Sequence, residues 1–118
     1  MGISGTFSSE SANGRLLQIA FEHCESMGAE CVIWDNSSPL PFVGEEGCWE
    51  DAAVNSYKEM ASASDAFILS SPEYHGTMSG VMKNSLDFLS YDQTSDKAFA
   101  LMSTLGGQSN SNTLNHMR

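Results

Sequence analysis

The sequence predicts an α/β protein built on a parallel sheet. Apolar runs of strand length at residues 31–34, 66–69 and 98–102 alternate with stretches whose apolar residues recur at helical spacing. Short loops join most of these segments. Because parallel neighbours need crossovers, and crossovers are usually helical, this alternation favours a parallel sheet. The composition of the runs at 66–69 and 98–102 further indicates strands that are buried on both faces.

The first segments of the chain predict a strand, a loop and a helix. Residues 1–4 are interpreted as the end of a strand, and the small residues at 5–14 as a loop. Ser11 is placed to cap the following helix, and Gly28 is placed to end it. The apolar face of this helix is expected at Leu16, Leu17, Ile19, Ala20, His23 and Cys24.

The middle of the chain predicts a second strand at residues 31–34 and an irregular loop that reaches Gly47. A second helix is expected from about Trp49 to Ala63, since Val54, Tyr57, Met60 and Ala61 fall on one face. The acidic side chains before and at its start are interpreted as a solvated face. They are Glu45, Glu46, Glu50 and Asp51.

The remaining segments predict a third strand at 66–69, a polar loop, a helix, and a fourth strand at 98–102. The helix is indicated by the spacing of Val81, Met82, Leu86, Phe88 and Leu89. After the fourth strand, a glycine turn at 105–107 leads to a Ser/Asn-rich stretch at 109–112. That stretch is suited to cap a last helix, which carries Leu114 and Met117.

Composition and charge argue against several classes of function. A chain of 118 residues suits a single domain, and its formal net charge of −10, with five scattered bases, argues against nucleic acid and anionic membranes as partners. No apolar run approaches the length of a membrane span. The three cysteines lack a C-x-x-C pair, which favours reduced thiols in a cytoplasm. We expect them to be buried and inert, ahead of a redox or metal role.

Residues 71–87 form the most specific motif. The segment resembles the loop that holds the flavin ring in the NADPH-dependent FMN reductases, with the pattern S-P-E-Y-N-G-x-x-x-G-x-x-K-N-x-L-D and His75 at the family's first Asn. The resemblance implies a flavodoxin-like three-layer sandwich with strand order 2-1-3-4-5. The fifth strand is missing here, and residues 1–118 look like a partial FMN-binding domain clipped at both ends. The fourth strand is then expected to leave an open edge.

The resemblance implies three loops around FMN. The first is similar to the family's G-S-L-R-x-x-S-x-N phosphate loop, with Ser8 at the position of the family's Arg; by itself it is more typical of a helix cap. The second would surround the ring, and the third would approach the ring through its glycines, although a plain turn fits it almost as well. The cofactor-binding residues expected are Ser4, Thr6, Phe7, Ser11, Ala12, Asn13, Pro72, Glu73, Tyr74, His75, Gly76, Ser103, Thr104, Gly106 and Gly107.

Four positions in the motif carry further expectations. Histidine at 75 can change charge near neutral pH, so we hypothesise that it makes the flavin potential pH-dependent. An unchanged potential in His75→Asn at acidic and neutral pH would contradict this. Lys83, Asn84 and Asp87 match the family helix and are interpreted as structural or interface residues before cofactor ligands.

The implied activity is an FMN-dependent NAD(P)H oxidoreductase that passes hydride through flavin N5 to a quinone, azo, metal-oxyanion or flavin acceptor. The expected cosubstrate is NADPH or NADH, and the expected assembly is a homodimer or homotetramer. We expect no catalytic side chain and no metal site. Two alternatives stay open, namely a flavodoxin-type electron carrier, which the acidic charge suits, and an inactive truncated flavin-binding module.

Overall fold

A computed structural model describes residues 1–8, 10–34, 36, 39–107 and 111–118, with the backbone alone at Ser111. The strands in these ranges are β1 (Gly2–Ser4), β2 (Ile33–Trp34), β3 (Ala66–Tyr74), β4 (Thr77–Met78) and β5 (Ala98–Thr104). The helices are α1 (Ala12–Ser26), α2 (Ala52–Ala63), α3 (Gly80–Asp87), α4 (Tyr91–Thr94) and α5 (Ser111–Met117).

The sheet runs in the order β2-β1-β3-β5 with every neighbour parallel. This confirms the predicted α/β class and the order 2-1-3-4 of the four predicted strands. Parallel strands place their carboxyl ends at one edge, so the loops after β1, β3 and β5 emerge on the same side of the sheet. β4 pairs antiparallel with the end of β3 and was not predicted.

β3 is longer than predicted, because it continues past Leu69 through the polar residues to Tyr74. Its register with β5 runs without a break from Ala66 opposite Ala98 to Pro72 opposite Thr104. β5 likewise ends two residues beyond the prediction, at Thr104. Backbone pairing therefore sustains strand structure where the side chains give no apolar signal.

The expectation that β5 is buried on both faces is wrong. Ala98 and Ala100 are exposed, and Phe99 is 40% exposed. Within the described part of the chain β5 pairs with β3 alone, so it lies at the edge of the sheet. The run at 66–69 is also only partly enclosed, since Phe67 and Leu69 are buried but Ala66 is exposed.

The caps predicted for the first helix are present. Ser11 accepts a hydrogen bond from the Gly14 N–H, and the chain reverses at Gly28, whose φ is +90°. Leu17 is buried against the sheet, whereas Ile19 is 62% exposed and His23 is exposed as well, contrary to the predicted face. The second strand is also shorter than the predicted 31–34, since β2 begins only at Ile33.

α2 starts three residues later than predicted. Asp51 caps it by accepting from the Ala53 and Val54 N–H groups at 2.7 and 3.4 Å, so this acid has a structural role beyond solvation. Tyr57 is fully buried and packs edge-on against Trp34, with ring centroids 5.1 Å apart. Burial raises the pKa of the Tyr57 hydroxyl.

The last helices follow the prediction with one addition. Ser79 caps α3 by accepting from the Met82 N–H at 3.1 Å, and the short α4 was not foreseen. α5 carries the expected Leu114 and Met117, and Met117 packs against the core. Ser109 and Asn110, part of its predicted cap, lie outside the described residues. None of the helices described is long and apolar enough to cross a membrane.

Candidate functional site

The first loop presents the start of α1 to one end of the sheet. Ser11 Oγ contacts Thr6 Oγ1 at 3.2 Å and accepts from the Gly14 N–H at 3.0 Å. In the described part of the chain, the N–H groups of Ala12 and Asn13 have no hydrogen-bond acceptor. Unpaired amides at the positive end of a 15-residue helix form an anion-binding position.

Asn13 ties this helix start to two strands. Its Nδ2 donates to Thr104 Oγ1 at 2.7 Å, and its Oδ1 accepts from the Thr104 N–H at 3.1 Å. The Ser70 hydroxyl donates to the Asn13 backbone carbonyl at 2.9 Å. The Asn13 side chain is thus buried, and its polar atoms are hydrogen-bonded within the protein. The backbone N–H of Asn13 remains available to a ligand.

A cluster of hydroxyls seats the first loop against the second. Ser79 Oγ donates to the Gly5 carbonyl at 2.6 Å, and the Ser79 N–H donates to Ser71 Oγ at 3.1 Å. A Cβ at Gly5 would lie 2.8 Å from Ser71 Oγ and 2.9 Å from Ser79 Oγ. Only glycine therefore allows this close approach of the two loops.

The second loop is a β-hairpin. His75 and Gly76 form its two-residue turn, with φ of +52° and +81°, between Tyr74 and its partner Thr77. Both turn residues are left-handed, as in a type I′ turn, where Asn-Gly is preferred. The hairpin extends the sheet and holds Tyr74 at its tip, 57% exposed.

α5 is bonded to this hairpin at two points. Glu73 Oε2 accepts from the Thr113 N–H at 3.0 Å, and Thr77 Oγ1 lies 2.8 Å from His116 Nδ1. The carboxylate of Glu73 is thereby committed to the first turn of α5. Its position is structural as well as adjacent to the site.

The three loops enclose one cleft of about 460 Å³, which we call the three-loop cleft. It falls within the usual size of a small-molecule site. Phe7 and Tyr74, 64% and 57% exposed, contribute aromatic side chains to it. Its lining residues are Thr6, Phe7, Ser8, Ser11, Ala12, Asn13, Pro72, Glu73, Tyr74, Thr104, Leu105 and Gly106.

Most of the predicted residues meet in this cleft, but some do not line it. Those outside the lining are Ser4, His75, Gly76, Ser103 and Gly107. Ser8 and Leu105 line the cleft without having been predicted as ligands. Both lie inside the predicted loops, so their position in sequence was the available signal.

Of the three motif residues on α3, Asn84 has the structural role expected of it. Asn84 Nδ2 donates to the Pro41 carbonyl at 2.9 Å and its Oδ1 accepts from the Val43 N–H at 3.0 Å, which fixes the long loop before α2. Lys83 and Asp87 form an ion pair one turn apart along the helix. None of the three lines the three-loop cleft.

Sequence comparison agrees with this geometry. The profile of the NADPH-dependent FMN reductases matches residues 1–118. The chain belongs to that family.

Two relatives of this chain have names that fit the family. It is 34% identical over 122 residues to the probable NADPH:quinone oxidoreductase 2 of Oryza sativa subsp. japonica, covering 98% of the chain and 60% of the relative. It is 33% identical to the FMN-dependent NADPH-azoreductase of Staphylococcus aureus, covering 98% of the chain and 65% of that relative. This chain thus spans under two thirds of the length of each.

Solved structures share the fold. The flavoenzyme NAD(P)H:(acceptor) oxidoreductase FerB from Paracoccus denitrificans superposes with a TM-score of 0.83 at 23% identity, covering 98% of this chain and 66% of FerB. The flavodoxin-like architecture of the chain is therefore established by its strand order and by this likeness.

Proposed function

We propose that this protein is an FMN-dependent NAD(P)H oxidoreductase and that the three-loop cleft holds the FMN. The observation that carries the proposal is the convergence of the loops after β1, β3 and β5 on one cleft, with free helix amides and two exposed aromatic rings. Family membership supports the same cofactor. When bound, FMN would accept and donate hydride at its N5 atom.

The residues of the first loop suit a phosphate. The N–H groups of Ala12 and Asn13 and the hydroxyls of Thr6 and Ser11 would bind its oxygens. No basic side chain is among the described residues that line the cleft, and the chain has a net charge of −10. Binding of the phosphate would therefore depend on the dipoles of nearby backbone amides. At short range these dipoles outweigh the repulsion from the protein's net negative charge.

The remaining lining residues suit a flat ring. Phe7 and Tyr74 offer aromatic surface, and Pro72 and Gly106 also line the cleft. These groups would hold the ring in place and exclude water from its bound face. The expected cosubstrate is NADPH or NADH, and the expected acceptors are quinones, azo compounds, metal oxyanions or free flavin.

Kinetics with NADPH and a benzoquinone test the activity. Steady NADPH consumption by the FMN-loaded protein, with parallel double-reciprocal lines, is the result expected for alternating use of one flavin face. FMN binding without quinone-dependent turnover would favour the electron carrier, which the acidic charge also suits. No FMN binding would indicate an inactive truncated module that has lost its cofactor.

A matched pair of variants locates the activity. Phe7 lines the cleft and Phe42 does not, yet their side chains are 64% and 68% exposed. We expect Phe7→Ala to weaken FMN binding about tenfold, the equivalent of one lost stacking contact, and Phe42→Ala to leave it unchanged. Equal effects of the two substitutions would argue against the cleft.

We further propose a cytoplasmic protein that acts on small molecules as a homodimer or homotetramer, with no nucleic-acid or membrane partner. The unbridged thiols of Cys24, Cys31 and Cys48 support a reducing compartment. Size-exclusion chromatography with light scattering tests the assembly. A monomer at every concentration would contradict it.

A further inference from the structure

Two cysteines lie together at the end of α1 that is remote from the three-loop cleft. Cys24 is in the last turns of the helix, and Cys31 Sγ lies 4.0 Å from the carbonyl oxygen of Phe21, one turn before Cys24. Burial first, and then the neighbouring Cys24, raises the pKa of the Cys31 thiol. Cys24 and Cys31, seven residues apart in sequence, thus lie at the same end of α1, and we call them the cysteine pair.

The turn that follows the helix creates this pair. The Ala29 N–H donates to the Cys24 carbonyl at 3.1 Å, and the Gly28 N–H donates to the Glu25 carbonyl at 2.9 Å. These two bonds form the reversal in which a left-handed glycine ends a helix, and Gly28 has a φ of +90°. The reversal sends the chain back along the helix, which places Cys31 beside Cys24.

The pair differs from the third cysteine in access. Cys24 and Cys31 are both partly exposed, whereas Cys48 is 2% exposed inside the core. Of the three cysteines expected to be buried, only Cys48 is. An oxidant in solution can reach the pair, and the buried thiol serves as an internal control.

We propose that Cys24 and Cys31 are a redox-active pair that a hydroperoxide converts to a reversible disulfide. The Cys24 sulfur attacks the peroxide, an S–O bond forms, the O–O bond breaks, and the thiol proton leaves on the departing oxygen. The Cys31 sulfur then attacks the sulfenic sulfur, an S–S bond forms, and the S–O bond breaks to release water with the Cys31 proton. The two sulfurs together lose two electrons, which the peroxide gains.

The order of the two steps follows from the surroundings of Cys31. Burial, followed by the neighbouring Cys24 and Glu25, raises the pKa of the Cys31 thiol. A thiol that keeps its proton is a slow nucleophile toward peroxide. This assigns Cys31 the second attack, in which its target is the sulfenic acid on the same chain.

Mapping of thiols by mass spectrometry tests the proposal and needs no flavin. The full chain is reduced, freed of reductant, treated with hydrogen peroxide, and alkylated before and after unfolding. We expect a peptide in which Cys24 and Cys31 are joined with the loss of two hydrogens, restored by dithiothreitol. Cys48 should be alkylated only after unfolding.

Variants separate the pair from general oxidation. In Cys31→Ser we expect Cys24 to accumulate as a sulfenic acid that dimedone traps, and in Cys48→Ser we expect the disulfide to form as in the parent chain. Recovery of both thiols as free, or their oxidation only beyond the sulfenic state, would overturn the proposal. Since the parent chain alone decides this, a variant that fails to fold leaves the test intact.

Discussion

Asn13 and Thr104 are joined by two hydrogen bonds across 91 residues of sequence, at 2.7 Å through Thr104 Oγ1 and at 3.1 Å through its N–H. The first residues of α1 and the end of β5 are thereby fixed to each other. Because the proposed phosphate position and the third loop belong to these two elements, this side chain ties together two of the three loops that line the cleft.

Asn13→Ala should destabilise the fold. The substitution removes both bonds and leaves buried polar partners unpaired, which costs about 2–3 kcal/mol in the free energy of unfolding. Thr104→Ser keeps the hydroxyl and the N–H, so it should stay within about 0.5 kcal/mol of the parent. Urea denaturation of the two variants measures the free energy of unfolding. Equal midpoints would contradict a stabilising role of the two Asn13–Thr104 hydrogen bonds.

Gly5→Ala should also be destabilising, because its Cβ would lie within 3.0 Å of Ser71 and Ser79. We expect a loss of about 1–3 kcal/mol from forced overpacking. Gly80 provides a matched control, since a Cβ there meets nothing within 4 Å and the residue begins α3. Gly80→Ala should be neutral or stabilising by about 0.5 kcal/mol. Thermal unfolding that ranks the two variants in the opposite order would be inconsistent with this account.

Glu73→Ala should loosen α5 from the hairpin. Loss of the bond to the Thr113 N–H is expected to cost about 1 kcal/mol, or about fivefold faster hydrogen exchange at that amide. Glu73→Gln keeps an oxygen acceptor and should show a smaller increase. Hydrogen exchange is measured by NMR. An unchanged exchange rate of the Thr113 amide in Glu73→Ala would contradict a structural role of Glu73.

Ser8→Arg should strengthen FMN binding. Ser8 lines the cleft where the family pattern has Arg, and an exposed cation at that point should contribute about 1 kcal/mol, or about fivefold in Kd, at low salt. The gain should shrink at high salt. Ser8→Gln, of similar length but neutral, is the control. An affinity unchanged in Ser8→Arg would count against a phosphate near residue 8.

Much of this architecture follows from patterns that are local in sequence. Alternation of apolar runs with helical stretches was enough to predict the parallel sheet, whereas its strand order was expected from the resemblance to the FMN reductases. Loops that follow parallel strands must share an edge, so the meeting of the first, second and third loops was also predictable. The cap at Ser11 and the stop at Gly28 have purely local causes.

The features that escaped prediction depend on distant partners. Ser70, Ser71 and Pro72 carry no strand signal, and they extend β3 because β5 pairs with them. The hairpin turn was not predicted from the sequence, because His75 stands in place of the Asn that favours a left-handed backbone conformation. The commitment of Asn13 to Thr104 is likewise a tertiary contact.

Titration of the protein with FMN, followed through the backbone amide signals, tests the central claim most directly. We predict one-to-one saturation, with the largest shifts at Ala12, Asn13, Tyr74 and Gly106, whose residues line the three-loop cleft. Saturation with these four signals unmoved, or with shifts confined to the separate groove beside Asn55 and Lys58, would contradict it.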